Sequence, residues 1–160
     1  MHTRWLAALL FLLTTIGAAP RAEDTARRGA LVERGRYIVL VGHCNNCHTA
    51  GYMQAAGKVP EQQWLMGNPL GWRSRSGTTY ASNLRLFFAN LSEDGWIKVA
   101  RTIETRPPMP YWSLRDTSDD DLRALYHYIR SLAPLGTPAP AFLLPDREPP
   151  RPYHQLPDLS

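Results

Sequence analysis

The sequence has 160 residues, and its 18 Lys and Arg against 14 Asp and Glu give a formal net charge of +4. This length suits one compact domain and is too short for two. The basic residues are scattered through segments that also carry acidic ones, whereas nucleic-acid-binding proteins concentrate them in a stripe. Nucleic acid is therefore excluded as a partner.

The first 22 residues have the composition of a secretory signal peptide. Arg4 precedes an apolar run over residues 5–16, and small residues follow it. The run is shorter than the roughly 20 residues of a membrane-spanning helix, and no later stretch comes close, so no transmembrane span is expected after cleavage. We predict a signal peptide at 1–22 and a secreted protein. An uncleaved N-terminal anchor is the alternative.

A first helix is predicted from about residue 25 to residue 42. Leu31, Ile38 and Val39 fall near one face at helical spacing, and Gly35 lies on the same side. Glycine inside a helix costs about 1 kcal/mol relative to alanine. Its presence therefore indicates that another helix approaches closely at Gly35.

The strongest chemical signal follows this helix: Cys44, two asparagines, Cys47 and His48. Two thiols at this spacing can each add across one vinyl group of a haem, and the adjacent imidazole can bind the iron, so the pentapeptide predicts one covalently attached haem c. A disulfide between the two cysteines is an alternative in an oxidising compartment. A thioredoxin-like pair needs a βαβ setting that this stretch does not offer. Structural zinc needs four ligands, and the sequence has no second cysteine pair.

The chain from residue 49 onwards predicts a long loop and then two helices. Residues 49–91 are rich in Gly, Pro, Asn and Ser and are expected to be mostly irregular, packed against the haem. The second helix is predicted at 92–105 with Ser92 as its cap, and the third at 118–132 with Ser118 as its cap. Both carry apolar residues at i, i+3, i+4 and i+7 spacing.

A six-coordinate haem needs a second iron ligand, and Met109 is the predicted one. It lies between the two helices in the segment Arg-Pro-Pro-Met-Pro-Tyr-Trp, which ends at Trp112. Prolines on both sides fix the backbone and therefore the direction of the thioether. Histidine and methionine together leave no open position on iron and raise its reduction potential relative to two nitrogen ligands. The other candidates are less well placed: Met53, Met66, His43, His127 and His154.

The last segment, residues 134–160, holds eight of the fourteen prolines and is predicted to be an extended tail. It cannot form a further core helix. Its apolar residues Phe142, Leu143, Leu144 and Tyr153 could dock on a partner protein. The alternative is that the tail wraps its own domain.

These features together resemble class I cytochrome c: a helix leading into C-x-x-C-H, a loop-rich middle, a methionine–proline loop and a closing amphipathic helix. The resemblance covers about residues 27–133. It implies an all-α fold with a cytochrome c domain at 23–133, in which about three main helices and long loops surround one haem. The segments GTTYASNLR and PPMPYW are also similar to cytochrome domains that serve periplasmic quinohaem alcohol and sugar-acid dehydrogenases. Those subunits usually carry three haem motifs, whereas this sequence has one, which favours a small stand-alone or accessory carrier.

The resemblance also implies roles for individual residues. The carbonyl of Pro60 is expected to accept a hydrogen bond from the free N–H of the His48 ring. Gly35 is expected to meet the third helix around Leu125 and Tyr126. The remaining candidates for binding the haem, through its propionates or on its methionine side, are Tyr80, Asn83, Arg85 and Trp112.

The expected function is electron transfer without catalysis. A periplasmic cytochrome of this kind takes single electrons from a dehydrogenase and passes them to a terminal oxidase or another cytochrome. The alternative is a haem enzyme that turns over peroxide or binds a small gas. That alternative requires that Met109 does not bind the iron.

Overall fold

Six α-helices and one small sheet lie within residues 21–157, the range that this computed structural model describes. The helices are α1 (Ala22–Val41), α2 (Cys44–His48), α3 (Leu84–Ala89), α4 (Glu93–Thr102), α5 (Tyr111–Asp116) and α6 (Asp119–Ser131). A 3₁₀ helix spans Glu61–Gln63, and the strands are β1 (Gly71–Ser74), β2 (Gly77–Thr79) and β3 (Tyr153–Gln155). The three predicted helices correspond to α1, α4 and α6.

The sheet corrects the all-α prediction, although the described chain is mostly helical. β1 pairs antiparallel with β2, and we call residues 71–79 the hairpin. β1 also pairs in parallel with β3, where Tyr153 lies opposite Gly71. Strands of three or four residues show too little alternation to be recognised in a sequence. The segment predicted to be irregular at 49–91 therefore contains the hairpin and α3.

The first and last main helices cross at Gly35. A Cβ atom on Gly35 would lie 2.0 Å from the main-chain oxygen of Ala124 and 2.6 Å from the Cβ of Tyr128. This confirms the close approach predicted from the glycine. The contact falls on Ala124 and Tyr128, which flank the predicted Leu125 and Tyr126 on α6.

Both predicted serine caps are present. The Ser92 hydroxyl accepts a hydrogen bond from the Gly95 amide at 3.1 Å, and the Ser118 hydroxyl accepts one from the Asp121 amide at 3.2 Å. These bonds satisfy amide groups that the first turn of a helix leaves unpaired. α4 ends at Thr102, three residues before the predicted end at 105.

The core lies where α1, α4 and α6 meet the loop before the hairpin. The Trp96 indole donates to the Leu122 carbonyl at 2.8 Å, and the Phe88 ring lies 4.6 Å from the Trp96 ring. Burying aromatic rings of this size gives the largest apolar contribution to stability. The large side chains that are almost fully buried include Val39, Leu65, Phe88, Leu122 and Tyr128.

The tail wraps its own domain over residues 134–157, which is one of the two arrangements predicted for it. Leu143 and Thr78 form an isolated bridge, and β3 lies beside β1. His154, one of the alternative iron ligands, stacks on Trp72 with 5.6 Å between ring centroids. The tail is therefore extended but also supplies one strand of the sheet.

None of the helices within residues 21–157 is long and apolar enough to cross a membrane. The signal peptide predicted at 1–22 lies outside the described residues, except for Arg21 and Ala22.

Candidate functional site

The cysteine–histidine pentapeptide forms a single helical turn, α2. Cys44 and Cys47 are three residues apart on this turn, which places them on the same side of it, and His48 follows directly. His43 precedes the turn with a positive φ of 56° and redirects the chain from the end of α1. The fold thus presents two sulfur atoms and one imidazole within a few residues of chain.

Both cysteines are free thiols in the structure. Burial raises the pKa of the Cys44 thiol to about 11, and burial also raises the pKa of Cys47. Within the described residues, no group of three or more His, Cys, Asp or Glu side chains could hold a metal ion, so the zinc alternative lacks a complete set of ligands.

The His48 ring is buried and held by one main-chain hydrogen bond. Its Nδ1 atom lies 2.8 Å from the Ser82 carbonyl oxygen. A carbonyl only accepts, so Nδ1 carries the proton and Nε2 keeps a free lone pair. Burial lowers the pKa of the imidazole, while the Ser82 carbonyl opposes that shift. A neutral ring with an available Nε2 is the form that binds a metal.

Ser82 takes the position that the sequence assigned to Pro60. The Pro60 carbonyl accepts from the Gln63 amide at 2.8 Å instead, where the 3₁₀ helix begins. The chain passes the pentapeptide at two later points: the Gly67 amide donates to the His48 carbonyl at 2.8 Å, and Ser82, just before α3, accepts from the His48 ring. The residue type does not reveal which main-chain carbonyl accepts this hydrogen bond, because every residue has one. Ser82 does lie inside the GTTYASNLR segment.

A cavity of about 310 Å³ opens beside the His48 ring. Cys47 and His48 line it from the pentapeptide, and Met109 lines it from the loop between α4 and α5. Aromatic side chains complete much of its surface: Trp72, Tyr80 and Phe142. The cavity thus brings the predicted imidazole ligand, the predicted thioether ligand and Tyr80 together.

The segment that carries Met109 folds on itself. We call residues 104–110 the methionine loop. The Met109 amide donates to the Arg106 carbonyl at 3.3 Å, and the Met109 carbonyl accepts from the Tyr111 amide at 3.0 Å. A second cavity of about 630 Å³ shares Met109 with the first, and Trp112, which is 51% exposed, lines it. Trp112 therefore stands near Met109 but does not line the cavity beside His48.

Asn83 and Arg85, which the sequence suggested for the propionates, do not line the cavity. Both are buried at 4% exposure and are occupied by main-chain partners. Asn83 accepts from the Leu86 amide at 3.1 Å and donates to the carbonyl of Leu135 at 2.8 Å. The Arg85 guanidinium donates to four carbonyl groups, at Glu61, Gln62, Trp64 and Leu132. Their polar groups hold loops together because loop carbonyls need donors when they are buried.

The donors around this cavity fit a c-type haem. An imidazole nitrogen and a thioether sulfur are a known pair of axial ligands for haem iron. Cys44 does not line the cavity, but it lies on the same turn as Cys47, and this spacing matches the two vinyl groups of the porphyrin edge. Aromatic and aliphatic walls suit a flat apolar macrocycle. The sequence model of the cytochrome c family matches residues 32–133.

The chain belongs to the cytochrome c family. Membership implies haem c as the cofactor and electron transfer as the activity. The cytochrome c subunit of gluconate 2-dehydrogenase from Pantoea cypripedii is 34% identical over 140 residues, which are 80% of this chain and 29% of that protein. A nicotinate dehydrogenase subunit from Pseudomonas putida is 30% identical over 124 residues, 70% of this chain and 9% of that protein.

A third relative is the cytochrome c subunit of the quinone alcohol dehydrogenase from Gluconobacter oxydans. It is 29% identical over 143 residues, which are 80% of this cytochrome c chain and 27% of that subunit. The chain spans between 9% and 30% of the length of the curated relatives it matches. No solved structure matches it.

Proposed function

We propose that this cytochrome c chain carries single electrons through one haem, attached by thioether bonds at Cys44 and Cys47. His48 and Met109 are the residues that would hold the iron of this haem, one through an imidazole nitrogen and the other through a thioether sulfur. The observation that carries the proposal is that His48, oriented by Ser82 at 2.8 Å, and Met109 line the same cavity beside Cys47.

The haem supplies a one-electron ferric–ferrous couple, and the chain supplies its environment. The Ser82 carbonyl fixes the His48 ring plane and increases the basicity of Nε2, since a ligand imidazole gains electron density from a hydrogen bond at its other nitrogen. The Met109 thioether raises the reduction potential relative to a second nitrogen ligand. Trp72 and Phe142 line the cavity, and their apolar rings would lower the polarity around a bound haem, which is one of the factors that set its reduction potential. With His48 and Met109 both bound to it, the iron would have no open position for a substrate.

The compartment and the partners follow from the signal peptide and from the relatives. We assign residues 1–22 as a signal peptide, 23–133 as the cytochrome domain and 134–160 as the tail, and we place the protein in the bacterial periplasm. The relatives are named as cytochrome subunits of gluconate, alcohol and fructose dehydrogenases. The proposed donor is therefore a periplasmic dehydrogenase, and the acceptor is a terminal oxidase or another cytochrome.

Absorbance spectroscopy on the haem-loaded protein tests the coordination. A pyridine haemochrome spectrum of the c type with one haem per chain is expected, together with the red-region charge-transfer band of ferric methionine-ligated haem. Met109→Ala abolishes this band. Met53→Leu, at an exposed methionine, leaves it unchanged and is the matched control.

Two results would count against the proposal. A wild-type ferric spectrum without the charge-transfer band, combined with peroxide turnover or gas binding, would favour the alternative of a haem enzyme. A colourless protein with an intact Cys44–Cys47 disulfide would show that the chain does not bind haem.

A further inference from the structure

The tail forms part of the cavity wall. Phe142 and Pro140 line the same cavity as His48 and Met109. Phe142 is fixed in place because its neighbour Leu143 exchanges two main-chain hydrogen bonds with Thr78, at 2.8 and 3.1 Å.

The hairpin is shaped to receive this part of the tail. A Cβ atom on Gly77 would lie 2.4 Å from the Phe142 ring and 2.3 Å from the Leu143 carbonyl oxygen, so only glycine admits the tail here. The Arg73 guanidinium donates to the carbonyl oxygens of Pro145 at 3.0 Å and Arg147 at 2.6 Å. The tail is therefore anchored to the hairpin immediately after Phe142.

The methionine loop makes few hydrogen bonds. Across the described chain, its hydrogen bonds stay local: Met109 to Arg106 and Tyr111, Thr105 to Met109 at 3.4 Å, and the Pro110 carbonyl to the Ser113 amide. Its link to the tail is the Arg106 guanidinium, whose central carbon lies 3.9 Å from the centre of the Phe142 ring. This distance is well inside the range of a cation–π interaction.

We infer that Arg106 and Phe142 form a latch through which the tail holds the methionine loop over the cavity, so that both are positioning residues for Met109. The inference rests on the proposed role of Met109 as an iron ligand. The latch connects the methionine loop to the tail. The tail is in turn anchored to the hairpin. Opening the loop breaks the cation–π contact, and losing that contact raises the fraction of molecules in which the sulfur has left the iron.

Titration of the ferric, haem-loaded protein with imidazole measures this fraction. Imidazole replaces the Met109 sulfur only when the loop is open, so its apparent dissociation constant is inversely proportional to the open fraction. Phe142→Ala is expected to bind imidazole roughly tenfold more tightly than the wild type, from the usual strength of a cation–π contact. Arg106→Gln acts in the same direction, and Arg106→Lys acts less, since it keeps the charge.

Leu144→Ala is the matched control, because Leu144 lies on the same stretch of tail and is 60% exposed. Its imidazole affinity stays at the wild-type value. Equal affinities for wild type, Phe142→Ala and Arg106→Gln would overturn the latch. If Phe142→Ala does not fold with haem, Arg106→Gln decides alone, because its side chain is at the surface.

The proposed function fails in a different way. If Met109→Ala keeps the charge-transfer band, the axial ligand has been assigned wrongly, whatever the imidazole titrations show. If Met109→Ala loses the band while the latch variants behave like the wild type, the ligand assignment stands and the latch does not.

Discussion

At the crossing of α1 and α6 the chain is held by direct packing, whereas its loops and tail are held by side chains that donate to main-chain carbonyls. Gly35 lets two helices approach until main-chain atoms touch. Arg85 joins four carbonyl groups of segments that do not line the cavity, and Arg73 joins two carbonyl groups of the tail. The difference arises because a helix pairs its carbonyl groups through its own hydrogen bonds, whereas the carbonyl groups of a buried loop need donors from elsewhere.

This contrast separates two kinds of damage. A change at the helix crossing disturbs a rigid core, so its effect spreads to the whole domain. A change at a tethering side chain frees one loop or the tail, so its effect is local. The tail lines the cavity, and Arg85 follows shortly after Ser82, whose carbonyl holds the His48 ring. The following substitutions test that separation, beginning with the largest expected loss of stability.

Gly35→Ala is expected to destabilise the protein most, by about 3 kcal/mol. The new methyl group would lie 2.0 Å from the Ala124 oxygen, so α1 and α6 must move apart. Unfolding in guanidinium chloride measures the loss. Gly29→Ala, in the same helix with no atom within 4 Å of its Cβ position, is the control and gains up to about 1 kcal/mol. Equal stabilities of the two variants would contradict the packing account.

Arg85→Met is expected to cost about 2 kcal/mol, because several buried carbonyl groups lose their donor while the aliphatic part of the side chain is kept. The helical signal in circular dichroism is expected to stay, while the red-region band of the haem weakens as the loops loosen. Arg85→Lys restores only part of the stability, since an ammonium group cannot span four acceptors. If Arg85→Met lost helical signal in circular dichroism while the red-region band stayed unchanged, the result would contradict this expectation.

Gly77→Ala is expected to release the tail, at a cost of about 1–2 kcal/mol. Gly77 has a φ of +124°, and its Cβ position collides with the tail. Faster hydrogen exchange at the Leu143 amide and faster proteolysis after residue 134 are the measurements. Gly51→Ala is the control, since Gly51 also has a positive φ of +73° but no atom within 4 Å of its Cβ position. If both variants protect Leu143 equally, the close contact at Gly77 does not hold the tail.

The same contrast explains what the sequence could predict. α4 and α6 were predictable because their signals are local: a serine cap and an apolar stripe within one stretch of chain. The helix crossing was predictable because glycine inside a helix lowers its stability, so its presence indicates the close approach of another helix. Cys44, Cys47 and His48 were recognisable because their spacing is dictated by the porphyrin edge.

The contacts that hold the loops and the His48 ring were harder to predict, because they join distant segments through the main chain. Asn83 and Arg85 were visible as polar residues in a suggestive segment, but their partners include carbonyl groups up to 54 residues away. The acceptor for His48 is a carbonyl group, and no residue type marks it. β3 is three residues long and pairs with a strand near the middle of the chain. Only the folded chain shows these contacts.

The smallest expected effect concerns charge at the helix crossing. Arg34 on α1 donates to the Asp121 carboxylate on α6 at 2.8 Å, and this hydrogen bond lowers the pKa of Asp121. A lowered pKa in the folded state means that the ion pair favours folding above the ordinary carboxyl pKa of about 3.9, and that this contribution is lost as the pH falls through the folded-state pKa. Arg34→Gln is therefore expected to show a shallower loss of stability between about pH 5 and about pH 2 than the wild type.

Unfolding free energies measured across this pH range provide the check, with Arg28→Gln as a control for removing one positive charge from the same helix. Arg34 is 52% exposed, so solvent and salt screen the pair, and the difference between the two variants shrinks as salt is added. A pH slope for Arg34→Gln as steep as that of the wild type would mean that the ion pair adds nothing. The crossing would then depend on the close approach at Gly35 alone, which is where the largest effect is already expected.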